Sequence, residues 1–433
     1  MKHDARMYAV KVIKNVLLGR SLSPTLKKAL NHCADKEKPK LQQLVYGALR
    51  DYPRLFGITK QILDRPIRAK DTDLKALVIL GVYELEHMNT PAYATVASIV
   101  ERAQDLGKPW AKGLINAVLR RFIREKEVIL STLTQSQRAS HPEWMYDKIT
   151  NEYPDKHADI FATNNEAPPL TIRVNQERIN REDYLSLLKE RGIVSKPGIL
   201  ANTSIYIEQS IRVEDLPGFT EGMASVQDEA AQMAASLLPC KAGEKILDAC
   251  SAPGGKATHL LETFPEIQMS LMDIDQERMI KVTENLDRLR LSANVVIGDA
   301  CAGSKIFPPD SFDQIIADVP CSAFGVVRRN PDIKLLRKLE DINSFSCLQK
   351  NLLNGLWPIL KPGGHLLYVT CSILQDENDL VVGNHVKVNT NCEWIPIDAK
   401  WGSETKYGRQ LIQTSGTHDG LYFSLLRKTS PTR

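Results

Sequence analysis

Two cysteines stand where a nucleophile would be useful. Asp318-Val319-Pro320-Cys321-Ser322 and Val369-Thr370-Cys371-Ser372 each close a short apolar run of strand character. If the two runs are neighbouring strands, both thiols lie at the mouth of one crevice. The thiolate is the nucleophilic form of cysteine, and a thiol in a crevice reaches it when its pKa is lowered. Eight cysteines are spread over 433 residues, at 33, 240, 250, 301, 321, 347, 371 and 392, with no Cys-x-x-Cys among them. That density excludes a disulfide framework, and the spacing predicts no metal site.

A second group of residues could hold a small ligand. Asp248-Ala249-Cys250-Ser251-Ala252-Pro253-Gly254-Gly255-Lys256 is a glycine-rich turn that opens a helix. Its spacing is neither Gly-x-Gly-x-x-Gly nor a P-loop. The glycines allow close approach to the backbone, and the helix start with Lys256 offers positive charge to an anionic group. Asp273 follows Gly255 by 18 residues, close to where an acidic side chain accepts ribose hydroxyls. Asp299 and Asp318 end two further strand-like runs. Four acids at one edge suit a nucleoside with a cationic sulfonium better than a pyrophosphate, which predicts S-adenosylmethionine as cofactor.

Taken together, a methyl donor and a cysteine nucleophile point to cytosine C5. That carbon is a poor nucleophile until a thiolate adds to C6. Loss of the C5 proton after methylation then expels the thiol. Asp318 is placed to hold the base by its N3/N4 edge, and the second thiol to assist release; a base in a folded nucleic acid must first be unstacked.

These residues need a sheet to hold them. Beyond Gly243 the sequence alternates strand, turn and helix, with strands expected at 245–249, 269–275, 294–299, 312–318 and 365–371. Such alternation predicts a mainly parallel, doubly wound sheet whose ligand crevice lies beyond the carboxyl ends of its strands. Upstream, residues 6–128 read as five to seven helices, with apolar stripes such as Ala9, Val12, Ile13 and Val16, or Leu41, Leu44, Val45 and Leu49. Residues 131–168 read as a polar stretch ending in a linker-like breaker at 164–169. Strands at 170–175 and 204–207 flank a helix at 181–191, a small α/β connecting section.

Charge separates these parts. Residues 1–130 hold 24 Lys and Arg against 13 Asp and Glu, whereas the remainder holds 32 against 39. Lys11, Lys14, Arg20, Lys27, Lys28, Arg65, Arg68, Lys70, Arg120 and Arg121 are among the basic residues of the first part, which therefore suits an anionic partner such as RNA. With 43% hydrophobic and 25% charged residues, no long apolar run and no signal-peptide pattern, the expected location is the cytoplasm and no membrane is involved.

The motif from Cys250 to Lys256, Asp318-Val319-Pro320-Cys321 and Thr370-Cys371-Ser372, in this order, resembles the RNA 5-methylcytosine methyltransferases, the family with two active-site cysteines. The segment Val326-Val327-Arg328-Arg329-Asn330-Pro331-Asp332-Ile333-Lys334 and the basic, NusB-like start extend the resemblance over the whole chain, to the branch acting on bacterial 16S rRNA. It implies three domains: an all-α NusB-like RNA-binding domain at 1–139, a small α/β domain at 140–235 and a Rossmann-like class I methyltransferase at 236–433. It implies that Cys371 is the nucleophile and that Cys321 assists release. It further implies a cofactor site of Cys250, Ser251, Ala252, Pro253, Gly254, Gly255, Lys256, Asp273 at the ribose, Asp299 near the adenine, and Asp318 facing both methyl donor and base. Ser251 stands where the family commonly has alanine, and Asn330 where its basic loop, read as a local RNA contact, commonly has histidine. The partner implied is 16S rRNA, naked or in a partly assembled small subunit, with the enzyme a monomer. Two other readings stay open: the same chemistry on tRNA or 23S rRNA, and an RNA-binding assembly or antitermination factor.

Overall fold

The computed structural model describes residues 4–430. The chain divides into two compact units, one built from residues 4–166 together with Val327–Lys338, the other from Ala167–Val326 and residues 339–430.

The first unit is all helical. Its helices Ala5–Leu17, Leu22–His32, Lys38–Arg50, Tyr52–Ile62, Thr72–His87, Ala92–Asp105 and Lys112–Ser131 close on one apolar core. The expected stripes are in it: Ala9, Val12, Ile13, Val16, Leu41, Leu44, Val45 and Leu49 are all buried. The polar stretch from 131 to the breaker at 164–169 carries helices that its composition did not announce. These are Gln135–Arg138, Glu143–Glu152 and His157–Asn165, held by buried Met145, Ile149, Ile160 and Phe161 and by Tyr146 stacked on Phe161 at 4.8 Å.

The segment Val327–Lys338 is the largest departure from expectation. Read as a basic RNA-contacting loop, it instead packs into the helical unit, with Arg328, Asp332 and Lys334 buried. Asp332 accepts from the Leu22 amide at 2.9 Å, capping a helix whose own N-cap residue, Ser21, makes no side-chain bond. The Arg328 carbonyl accepts from Arg50 Nε at 3.1 Å. Lys334 Nζ meets the carbonyls of Arg50 at 2.8 Å and Ser140 at 2.9 Å and the Asn165 amide oxygen, three acceptors for the three donors of its charged form.

The second unit holds two sheets. Strands β1 Leu170–Val174, β2 Ser195–Pro197, β3 Ser204–Ile207 and β4 Ala224–Val226 form an antiparallel sheet in the order β2-β3-β1-β4, with the helix Arg181–Glu190 packed on it. Strands β5 Lys245–Asp248, β6 Gln268–Asp273, β7 Asn294–Ile297, β8 Phe312–Asp318, β9 Leu360–Thr370, β10 Cys392–Ile395, β11 Ser403–Glu404, β12 Arg409–Leu411 and β13 Leu421–Lys428 form the other. Its order is β11-β12-β13-β9-β8-β5-β6-β7, with β10 beside β13. The expected parallel part runs β9-β8-β5-β6-β7. Strand order reverses at β5, so a crevice opens where β5 and β8 part. The antiparallel strands β10 to β13 were not anticipated; β13 pairs with β9 and stiffens the strand that ends at Cys371. Among the described residues, no helix is long and apolar enough to cross a membrane.

Burial pulls the Lys334 pKa from 10.5 down to about 7. The unfolded chain therefore binds more protons than the folded one between those values, and this lysine makes stability rise with pH across that window. Lys334→Met should cost about 1–3 kcal/mol for each acceptor left unpaired and should flatten the rise between pH 7 and 10 relative to the parent. Urea unfolding of both proteins at several pH values checks this.

Candidate active site

The carboxyl ends of all five parallel strands converge on a cavity of about 380 Å3, lined by Cys250, Asp273, Asp299, Asp318, Cys321 and Cys371 among others. The turn after β5 is built tightly. Gly254 has φ +93°, a left-handed backbone that only glycine adopts without strain, and it caps the helix Gly255–Thr263. The Ser251 amide donates to the Met272 carbonyl at 2.9 Å, and the Gly254 amide to the Ser251 carbonyl at 2.6 Å. Asp273 accepts from the amides of Ala252 at 3.1 Å and Asp275 at 3.0 Å, and Asn285 holds the Pro253 carbonyl at 3.0 Å. Asp299 accepts from the Cys301 amide at 2.9 Å and remains exposed at the cavity edge.

The acids are electrostatically crowded. Burial and the nearby Asp318 carboxylate raise Asp248 to about 7. Lys256, expected to meet an anionic ligand, is instead paired with Asp318. Burial opposes its charge, but Asp318, and more weakly Cys371 and Asp248, outweigh that and raise its pKa.

Both thiols reach the same point. Cys321 Sγ and Cys371 Sγ are 3.3 Å apart, because β8 and β9 are parallel neighbours that end together. The hydrogen bond with Cys371, then burial, push the Cys321 thiol well above its usual pKa. The loops carrying the two cysteines share one support that the sequence reading missed. Glu377 is wholly buried and accepts from the Ser322 amide at 2.7 Å, the Ser322 hydroxyl, the Ser372 hydroxyl at 2.6 Å and Gln349 Nε2 at 3.4 Å. Asn378 adds bonds to Thr370 Oγ1 at 2.6 Å and the Ser372 carbonyl at 3.0 Å. The signal for both was an acid and an amide lying five and six residues beyond Ser372, which is near enough to fold back. Cys301 and Cys347, matched to no motif, make no such constellation.

Arg173 was missed as well. It comes from β1 of the small sheet and is wholly buried, yet it donates to the Gly255 carbonyl at 2.7 Å, Thr258 at 3.1 Å, Gln227 at 2.6 Å and Glu262 at 2.7 and 2.9 Å. A cation in an otherwise apolar strand was the available clue. It clamps the helix that follows the glycine turn. Arg173→Met should destabilise the chain by about 3–5 kcal/mol, since it strands the Glu262 carboxylate, and adding Glu262→Met should recover most of that loss. Denaturant unfolding of the single and double variants measures it.

Three family models match the chain: the NusB family over residues 3–124, the RsmF/B-like ferredoxin-like domain over 141–214 and the 16S rRNA methyltransferase RsmB/F over 235–427. The ribosomal RNA small subunit methyltransferase B of Pseudomonas putida is 39% identical over 434 residues, spanning 99% of this chain and 100% of that protein. Its Vibrio cholerae counterpart is 40% identical over 413 residues, spanning 95% and 94%. Among solved structures, PH0851 shares the fold over 99% of this chain and 100% of its own, with a TM-score of 0.82 at 22% identity. NSun6 from Pyrococcus horikoshii, crystallised with SFG, shares it over 67% and 98%, with a TM-score of 0.59 at 19% identity. Similarity that runs from end to end, over a helical unit, a small sheet and a doubly wound sheet alike, places this chain in the 16S rRNA methyltransferase RsmB/F family, as an rRNA methyltransferase.

Proposed function

We propose that this enzyme methylates C5 of one cytosine in 16S rRNA through a covalent bond between Cys371 and C6 of the base, using S-adenosylmethionine. The observation that carries the reading is the pair of thiols 3.3 Å apart beside Asp318 at the mouth of an acid-rimmed cavity.

The residues present fit the cofactor. A cavity of about 380 Å3 falls in the range of small-ligand sites, and the carboxylates of Asp273, Asp299 and Asp318 on its lining favour a cation. Asp273 at the end of β6 would hold the ribose, Asp299 would lie near the adenine, and the turn from Cys250 to Lys256 would close around the rest. When bound, S-adenosylmethionine supplies an electrophilic methyl group on a sulfonium. Cys371 adds to C6 and makes C5 nucleophilic; loss of the C5 proton after methylation expels Cys371. Asp318, held by Lys256, faces the base. Cys321, kept protonated by its bond to Cys371 and by burial, assists release.

Under this reading residues 1–139 grip RNA, 140–235 connect, and 236–433 catalyse, in a cytoplasmic monomer. The relatives named for the ribosomal small subunit support 16S rRNA over tRNA or 23S rRNA. The intact thiol pair argues against a purely binding role.

Labelled methyl from S-adenosylmethionine should reach unmodified 16S transcript or immature small subunits, and not 23S rRNA or tRNA, and Cys371→Ala should abolish transfer; turnover retained in that variant would defeat the mechanism. Glu377→Gln keeps both cysteines but removes the carboxylate that joins their loops. It should lower kcat by about a hundredfold with the KM for S-adenosylmethionine little changed, as steady-state kinetics would show.

A further inference from the structure

The helical unit carries a groove of about 800 Å3, between the loop that follows the helix Tyr52–Ile62 and the start of the helix Lys112–Ser131. Trp110 stands at its edge with 65% of its surface exposed, and Leu114 is 41% exposed beside it. A tryptophan this exposed is uncommon on a folded domain, where its large ring is normally mostly buried. On the facing loop, Arg65, Arg68 and Lys70 are all exposed, and none of them makes an ion pair among the described residues. The two carboxylates that line the groove are already spoken for: Asp64 pairs with Arg121 at 3.0 Å and Asp71 with Lys108 at 2.8 Å. Three cations without a salt bridge and an exposed indole therefore line one groove.

We propose that this groove binds a single-stranded segment of the substrate RNA, with a base stacked on Trp110 and its neighbouring phosphates on Arg65, Arg68 and Lys70. An exposed aromatic face and several cations lining one groove are what single-stranded nucleic acid requires, since every base has a face to stack and every link a charge to neutralise. The exposed ring of Trp110 selects this occupant over an acidic peptide, whose carboxylates would satisfy the cations and leave the ring uncovered. The inference deepens the proposed function and rests on its reading of rRNA as substrate.

The test is filter binding of an unmodified 16S transcript to the full-length protein across a range of KCl concentrations, in the Cys371→Ala background so that no adduct forms. Trp110→Ala should weaken binding roughly tenfold, and Trp110→Phe should retain most of it. Replacing Arg65, Arg68 and Lys70 by alanine together should lower the slope of log affinity against log salt by about 2. With Cys371 restored, Trp110→Ala should raise the KM for RNA and leave kcat at saturating RNA unchanged. Parental affinity and slope in both sets of variants would overturn the proposal. So would loss of binding to small-subunit particles with naked transcript unaffected, which would assign the groove to a ribosomal protein. A wild-type protein that binds through this groove yet methylates no RNA would refute the proposed function and leave the groove standing.

Discussion

One buried carboxylate organises the loops that carry the paired thiols. Glu377 has no access to water, and its donors come from the loops that follow two different strands. A carboxylate in such a place is tolerable only while its hydrogen bonds are made. Neither loop can therefore drift without leaving a charge unsatisfied in the interior, and the distance between the thiols they carry is set by that penalty. Burial raises the pKa of Glu377, and the hydrogen bonds from the two serines, the Ser322 amide and Gln349 counter only part of that rise. The constraint acts on geometry; it places no charge against the substrate.

The same logic recurs further from the crevice. Arg173 reaches from the small antiparallel sheet into the helix behind the glycine turn and is held by Glu262, so the small sheet acts as a brace for the turn as well as a connection. Lys334 plays a comparable part inside the helical unit, drawing the carbonyls of Arg50 and Ser140 and the amide of Asn165 to one point. Each is a long cationic side chain spending all its donors on groups that would otherwise be buried unpaired. Each also ties together segments far apart in the chain.

Sequence reading recovered what has a period or a local pattern. β8 and β3 match their expected bounds, the other expected strands of the parallel sheet overlap theirs, and the apolar stripes of the first helices are buried as expected. The acids and thiols could be grouped in advance because strand ends in a parallel sheet share one edge. What escaped lacks such a pattern. β13, Leu421–Lys428, is buried along almost its whole length and so shows no alternation to distinguish it. The helices between 135 and 165 are largely polar, and their stripe is only Met145 with Ile149 and Ile160 with Phe161. Glu377 and Arg173 were invisible for another reason: their roles exist only through partners brought in by tertiary folding. The segment 327–338 misled because basic residues at its positions read as surface, whereas Arg328 and Lys334 are among the most buried side chains.

The proposed mechanism requires that Cys371, and not its neighbour 3.3 Å away, form the bond to the base. It is tested most directly with a 16S transcript containing 5-fluorocytidine, whose fluorine at C5 cannot leave as a proton, so the covalent complex persists after methylation. Protease and nuclease digestion followed by tandem mass spectrometry locates the modified residue. A methylated fluorocytidine adduct is expected on the peptide containing Cys371. An adduct on Cys321, or none from an enzyme that methylates ordinary transcript, would contradict the mechanism.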